Sequence, residues 1–252
     1  IFSDDEDELM PPPDSHLKLS AKEKELLRRW IAEGAEYKAH WSFLPVEKVT
    51  PPKPRDSRWG QNPIDAFILS RFEQENLQPA SKASREILIR RLALNLIGLP
   101  PTIEEIDAFL ADNSPDAFEK VVTRYLNSPH YGERMAMDWL DLARYADTYG
   151  YQADVERDMS PYRDWVIKTF NENLPYDQFL TWQLAGDLLP NATREQRIAT
   201  AFNRLHRQTN EGGSVEEEFR AEYAMDRVNT IGMSMLGLTM ECARCHDHKF
   251  DP

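Results

Sequence analysis

Apolar residues recur every three or four positions along most of the chain, which is the spacing of one face of an α-helix. In the first such segment, Leu26, Leu27, Trp30 and Ile31 form an apolar stripe behind a Ser20 N-cap. No segment alternates apolar and polar residues as a half-buried strand does. We therefore predict an all-α protein with an irregular multi-helix domain. The predicted helices cover approximately 20–37, 84–98, 102–112, 130–149, 160–174, 176–189, 193–205 and 213–238, and two more begin at Asn62-Pro63 and at Ser114-Pro115.

Start and stop signals divide the chain into three parts. Residues 40–62 carry four prolines among polar residues and are predicted to form an extended linker. Residues 1–39 precede this linker. Residues 63–252 form the main helical domain, whose last helix is predicted to lead straight into a cysteine motif.

Charge and hydrophobicity argue against two classes of protein, nucleic-acid binders and membrane-spanning proteins. The net charge of −13 argues against a nucleic-acid binder, which would carry a basic face. No apolar run approaches the roughly 20 residues of a membrane-spanning helix, so no membrane span is expected in this chain. The first residue is Ile1 and the last is Pro252. From these two ends we expect the chain to be a processed or partial piece of a longer protein.

The sequence "CARCHDHKF" at 242–250 contains both cysteines of the chain and two of its six histidines. The order Cys242, two residues, Cys245, His246 is the spacing of covalent haem attachment. Two thiols one turn apart can bond the two vinyl groups of a haem, and the adjacent imidazole can become an axial ligand of the iron. We therefore predict haem c, bound covalently through Cys242 and Cys245 and ligated by His246.

Three other interpretations of these cysteines stay open. A zinc ion would be ligated by Cys242, Cys245, His246 and His248. The two histidines are separated by one residue, however, instead of the usual three to five. A redox dithiol would need a strand–helix context that the chain lacks. A disulfide across two intervening residues would close a very short loop and add little stability.

Attachment of this kind takes place outside the bacterial cytoplasmic membrane, so haem c predicts a periplasmic or extracellular protein. The absence of other cysteines agrees with this, because stray thiols would pair wrongly in an oxidising compartment.

The remaining contacts of the haem are predicted from residue type. His206 is the first candidate for the sixth iron ligand, because the Gly212-Gly213 turn can fold its helix back toward the last one. His248 lies too close to His246 to reach the opposite face. Arg244 is predicted to pair with a haem propionate, since a guanidinium matches a carboxylate fork.

A second haem signal lies near the N-terminus. "ELMPPPDSHLKLSAKEKELLRRWIAEGA" resembles the C-terminal part of a cytochrome c-like domain, with Met10 in a Met-Pro-Pro loop and Trp30-Ile31 before Gly34-Ala35. The resemblance implies that Met10 is a metal ligand of that domain. The cysteine motif that should partner Met10 is absent upstream.

Several long stretches resemble one known family, the second, cytochrome-associated domain of large planctomycete-type secreted proteins. That family's domain follows a cytochrome c-like domain, so the resemblance implies export, a multidomain arrangement and a haem-linked role, but no reaction. The stretches are "HWSFLPV", "NPIDAFILSRF", "RRLALNLIGLPPT", "YGERMAMDWLDLARYADTYGY", "YRDWVIKTFNENLPYDQFLTWQLAGDLLP", "NEGGSVEEEFR" and "DRVNTIGMSMLGLTMECARCHDHKFDP".

Three functions follow as hypotheses. The first is electron transfer between this haem and a neighbouring cytochrome domain or redox protein. The second is a haem-dependent oxidoreductase with an open distal site, and whether the protein is an enzyme is left undecided. The third is a non-catalytic binding module of a secreted, polysaccharide-associated assembly, for which the rings of Tyr145, Tyr149 and Tyr151 are candidate sugar contacts.

Overall fold

The computed structural model is helical, which confirms the predicted class. It describes residues 1–2, 5, 10–36, 40–55, 59–60 and 62–247. Within these residues there is no strand, and one isolated bridge joins Thr148 to Glu156. None of the described helices is both long and apolar enough to cross a membrane. The helices are α1 (Ala21–Ala32), α2 (Pro63–Gln74), α3 (Arg85–Leu96), α4 (Ile103–Ala111), α5 (Ala117–Leu126), α6 (Pro129–Leu142), α7 (Ser160–Asn171), α8 (Tyr176–Ala185), α9 (Arg194–Ala199) and α10 (Glu216–Ile231).

The chain divides into two compact units, Ile1–Ala80 and Ser81–Pro252. The first unit contains α1 and α2, and both begin with a capping box. The hydroxyl of Ser20 accepts the N–H of Glu23, and the Asn62 side chain accepts the N–H of Asp65. Leu69 is the one buried apolar residue among the described positions of this unit. Hydrogen bonds at the helix ends therefore contribute more to the stability of α1 and α2 than burial of apolar side chains does.

The second unit contains two apolar clusters. Helices α3, α4 and α5 enclose the first cluster, in which Ile89 and Ala93 of α3 are fully buried against Phe109 of α4 and Tyr125 of α5. The second cluster, formed by α6 to α9 and the segment after α9, is rich in aromatic residues. Its buried residues are Ala136, Trp139, Ala143, Tyr162, Trp165, Val166, Phe179, Ala199, Phe202 and Leu205.

A buried network of hydrogen bonds fixes how the helices around the aromatic cluster pack against one another. The Oε1 of Gln183 accepts hydrogen bonds from the Trp139 indole (2.9 Å) and from the Tyr162 hydroxyl (2.6 Å). The Nε2 of Gln183 donates to the Phe179 carbonyl at 3.0 Å. Since an unsatisfied polar group in a core is costly, this network favours one arrangement of α6, α7 and α8.

Helices α6 and α7 approach closely at Gly132. A Cβ at this position would lie 2.3 Å from the Ile167 carbonyl oxygen and 2.6 Å from the Asn171 amide nitrogen. Asn171 also accepts the Gly132 N–H (2.8 Å) and donates to the Pro129 carbonyl (3.1 Å). A side chain of α7 thus holds the first turn of α6, and the absence of a Cβ makes room for it.

Several predicted helices end earlier than the apolar pattern suggests, among them α6, α9 and α10. Helix α6 stops at Leu142 because Arg144 adopts a left-handed backbone (φ 60°). The segment 193–205 forms α9 and then a 3-10 turn over Thr200–Arg204. The last helix becomes a π-turn at Gly232–Leu236 and ends at Gly237 (φ 67°). It therefore does not lead straight into the cysteines, as we had predicted.

Candidate functional site

The backbone after α10 reverses at two glycines. A Cβ on Gly232 would lie 3.0 Å from the Leu238 carbonyl oxygen and 3.1 Å from the Met240 side chain. The Leu238 N–H donates to the Gly232 carbonyl at 3.0 Å. Because Gly237 accepts the left-handed conformation without a Cβ penalty, the chain can turn back here. The cysteine motif follows as a short 3-10 turn, Cys242–Arg244.

Both cysteines lie on this one turn and are exposed, free thiols. The N–H of Cys245 points to the Cys242 carbonyl, 3.4 Å away. No group of three His, Cys, Asp or Glu side chains that could hold a metal ion occurs within residues 62–247 or the other described segments. His248, a ligand in the zinc interpretation, lies outside the described residues. The two thiols are thus open to reaction from solution.

His246 follows the turn and is exposed to solvent. Its Nδ1 lies 2.9 Å from the carbonyl oxygen of Asp247. Since a carbonyl oxygen only accepts, this contact places a proton on Nδ1, and in the neutral ring Nε2 then carries the lone pair. Nε2 is therefore the atom through which His246 can ligate a metal.

Arg244, between the two cysteines, is held by α10. Its Nη1 donates to the Glu222 Oε2 at 3.2 Å, and its Nη2 makes a second, short contact with Oε1. This forked ion pair connects the cysteine turn to the middle of α10. Both side chains are about half exposed, so the pair contributes only about 0–1 kcal/mol to folding stability. Arg244, which we predicted to contact a cofactor, therefore already has a carboxylate partner.

His206 is buried, with 2% of its surface exposed. Its Nδ1–H donates to the Arg207 carbonyl (2.9 Å), and its Nε2 accepts from the guanidinium of Arg227 (3.0 Å). The ring stacks on Tyr223 with centroids 4.5 Å apart. Burial lowers the pKa of His206, and the nearby Arg227 lowers it further. To act as an iron ligand, as predicted, this imidazole would first have to release Arg227.

The other predicted metal ligand, Met10, lies in the first unit. It is 63% exposed and directly precedes Pro11. The upstream cysteine motif that would partner Met10 is absent from the sequence, so its role as a metal ligand stays a prediction.

Two clefts lie along α10, and the larger of them adjoins the cysteine turn. One of about 390 Å³ is lined by Glu222, Asp226, Glu241 and Arg244, among others. The other, of about 220 Å³, shares Glu222 and Asp226 with it, and Arg207 lines both. Asp226 is paired with Arg144, which ties α10 to the end of α6. The turn that carries the two cysteines therefore borders a polar surface formed mostly by α10.

We did not expect Glu222 or Arg207 to belong to the site. Glu218, Glu222 and Asp226 follow one another at intervals of four, and this spacing alone places three carboxylates on one face of a helix. The arginines that pair with two of them are distant in sequence, so the pairing appears only in the folded chain.

Comparison with known proteins gives one match. A sequence profile described as "PSCyt2: Protein of unknown function (DUF1549)" matches residues 63–252, which span α2 to the cysteine turn. No curated protein and no solved structure matches the chain.

Proposed function

Since the chain belongs to the PSCyt2 family of proteins of unknown function, its activity has to be argued from the site, and we propose that it is a c-type haem protein. The observation that carries this proposal is the pair of exposed, free thiols on one turn, followed directly by an imidazole. Thiols at this spacing match the vinyl groups of haem, and an adjacent histidine matches its iron.

Each residue has a distinct part in this proposal. Cys242 and Cys245 would hold the haem through thioether bonds, and Nε2 of His246 would ligate its iron. The Asp247 carbonyl holds the proton on Nδ1, which keeps the imidazole in the tautomer that can ligate a metal. The ion pair of Arg244 with Glu222 holds the turn against α10. Bound haem would supply one-electron chemistry at its iron.

Electron transfer is the function that we propose for this site, with a neighbouring cytochrome domain or another redox protein as partner. The exposed position of the cysteine turn supports this, because electron exchange needs a cofactor edge close to the surface. A periplasmic or extracellular location is part of the same proposal. It is supported by a chain that carries no cysteines beyond the two in the motif.

One observation favours a second candidate, a haem-dependent oxidoreductase with an open distal position. Both ring nitrogens of His206 are engaged in hydrogen bonds, and its Nε2 accepts from Arg227. An imidazole held in this way would ligate iron only after releasing Arg227, so a bound haem would be able to react with a small molecule instead.

An absorption spectrum of the protein, produced in an exporting host with haem-attachment machinery, tests the proposal. We expect covalently bound haem in a pyridine haemochrome assay, and sharp α and β bands on reduction. The double variant Cys242→Ser/Cys245→Ser should lose covalent haem, whereas His246→Ala should keep it with altered bands. His130→Ala, at an exposed histidine of α6, is the control and should leave the spectrum unchanged.

The same sample separates the candidates. A reduced spectrum that shifts with carbon monoxide would favour the oxidoreductase, and an unchanged one favours electron transfer. Protein without a Soret band, with zinc found by metal analysis, would overturn both.

A further inference from the structure

The cleft of about 220 Å³ beside α10 has an aromatic wall. The rings of Tyr151 and Phe219 meet edge to face with centroids 5.8 Å apart, and Phe219 and Tyr223 are 5.9 Å apart. The hydroxyl of Tyr223 accepts the N–H of Thr209 at 2.7 Å, which fixes that ring. This volume is below the 300–1,000 Å³ typical of sites for drug-sized ligands, so the cleft suits a small molecule.

Two of the four charged side chains that line this cleft are already compensated. Glu222 pairs with Arg244, and Asp226 pairs with Arg144. Two lining side chains differ: within the part of the chain that the structure describes, neither Arg207 nor Glu218 makes a side-chain hydrogen bond or ion pair. The cleft therefore presents one uncompensated cation and one uncompensated anion.

The cation, Arg207, is held in place by contacts of its side chain with Tyr151 and Gly150. The guanidinium of Arg207 lies over the Tyr151 ring, 5.9 Å from the centroid. Its Cγ lies 3.2 Å from where a Cβ of Gly150 would be, so the absence of that Cβ allows the stem to pack against the loop. An ordered guanidinium loses less conformational entropy when it binds a ligand.

We propose that this cleft binds a small zwitterion, namely an α-amino acid with an apolar or aromatic side chain. Its carboxylate pairs with Arg207, its ammonium group pairs with Glu218, and its side chain packs against Tyr151 and Phe219. A guanidinium matches a carboxylate fork, and an ammonium matches a carboxylate. This proposal does not depend on haem.

The charges disfavour other small ligands. An anion would be repelled by a chain of net charge −13 and would leave Glu218 unpaired. A cation would leave Arg207 unpaired. A neutral sugar can stack on the rings, but it pairs with neither charge.

Isothermal titration calorimetry on the full chain with three related probes tests the proposal. L-phenylalanine carries both charges, phenethylamine carries only the ammonium, and 3-phenylpropionate carries only the carboxylate. A hydrogen-bonded charge contributes about 1.5–3 kcal/mol, so we expect phenylalanine to bind about tenfold or more tightly than either analogue. Equal affinities, no detectable binding of phenylalanine, or binding of glucose alone would overturn the proposal.

Two charge-removing variants assign the roles, each with a matched control. Arg207→Gln should reduce phenylalanine affinity to that of phenethylamine and leave phenethylamine binding unchanged. Glu218→Gln should reduce it to that of 3-phenylpropionate. The controls are Arg204→Gln and Glu216→Gln, exposed residues close in sequence that do not line the cleft. Circular dichroism checks that all four variants fold. Equal losses in a variant and its control would show a non-specific charge effect and reject the assignment.

Discussion

At the level of single residues, two histidines of the second unit have opposite environments. His206 is enclosed by a carbonyl, a guanidinium and a tyrosine ring, whereas His246 is exposed beside the cysteine turn. A neutral imidazole suits the first environment, because a proton on Nε2 would face Arg227. We interpret His206 as a structural residue that orders the segment before α10.

The lowered pKa of His206 makes folding stability depend on pH. In the unfolded chain this imidazole takes up a proton near pH 6.5, but in the folded chain it does so only at lower pH. The unfolded state therefore binds more protons below about pH 6.5, and stability falls as the pH falls through this range. We expect His206→Gln to be less stable at pH 8 by about 1–3 kcal/mol, with a weaker pH dependence between 7 and 5.

Urea denaturation at several pH values measures this effect. His130→Gln is the control, since His130 is exposed on α6, and it should keep the slope of the wild-type protein. If His206→Gln lost stability with pH as steeply as the wild type, the burial argument would be wrong.

The ion pair between Glu222 and Arg244 makes a second prediction at this scale. Glu222→Gln removes the charge that holds the cysteine turn against α10, so we expect faster amide exchange at residues 242–245. Global stability should fall by no more than about 1 kcal/mol, because both partners are half exposed. Hydrogen-exchange mass spectrometry on this variant and on Glu216→Gln measures the difference, and equal protection in both would show that the pair does not order the turn.

At the level of elements, Gly132 allows the close approach of α6 and α7. Gly132→Ala places a Cβ 2.3 Å from the Ile167 carbonyl oxygen, a backbone atom that cannot rotate away. The helices must separate, and we expect a loss of about 1–3 kcal/mol, typical of overpacking. Thermal denaturation followed by circular dichroism measures it.

Gly212→Ala is the control for this change. It adds the same methyl group in the second unit, where no atom lies within 4 Å of the new Cβ. Equal melting temperatures for the two variants would contradict the close approach of α6 and α7.

The elements also show what sequence patterns can and cannot predict. Capping boxes at Ser20 and Thr102 are local, and the structure confirms both. The end of α6 is not local, because Arg144 leaves the helix and pairs with Asp226 on α10, 82 residues later. The cysteine spacing was visible in the sequence, whereas the cleft beside it depends on loops and helices that only tertiary packing brings together.

At the level of the whole molecule, the buried residues lie almost entirely in the second unit. Both apolar clusters are formed by residues between Ile89 and Leu205, and Leu69 is the single buried apolar residue among the described positions of the first unit. Folding free energy comes mainly from burial of apolar surface. The second unit therefore has its own source of stability.

This distribution predicts that the second unit folds alone. A fragment of residues 81–252 should unfold in one cooperative transition, with a melting temperature close to that of the highest transition in the full chain. Its calorimetric enthalpy should approach about 0.7 kcal/mol per residue near 60 °C. A fragment of residues 63–252 adds α2 and begins where the family match begins.

Comparing the two fragments locates the domain boundary. If α2 contributes only its own capped turns, as its grouping with the first unit implies, both fragments will melt at the same temperature. A higher melting temperature for 63–252 would place the boundary at the predicted linker, because α2 would then be packing against the second unit. A non-cooperative transition in 81–252 would mean that the two apolar clusters do not suffice for folding.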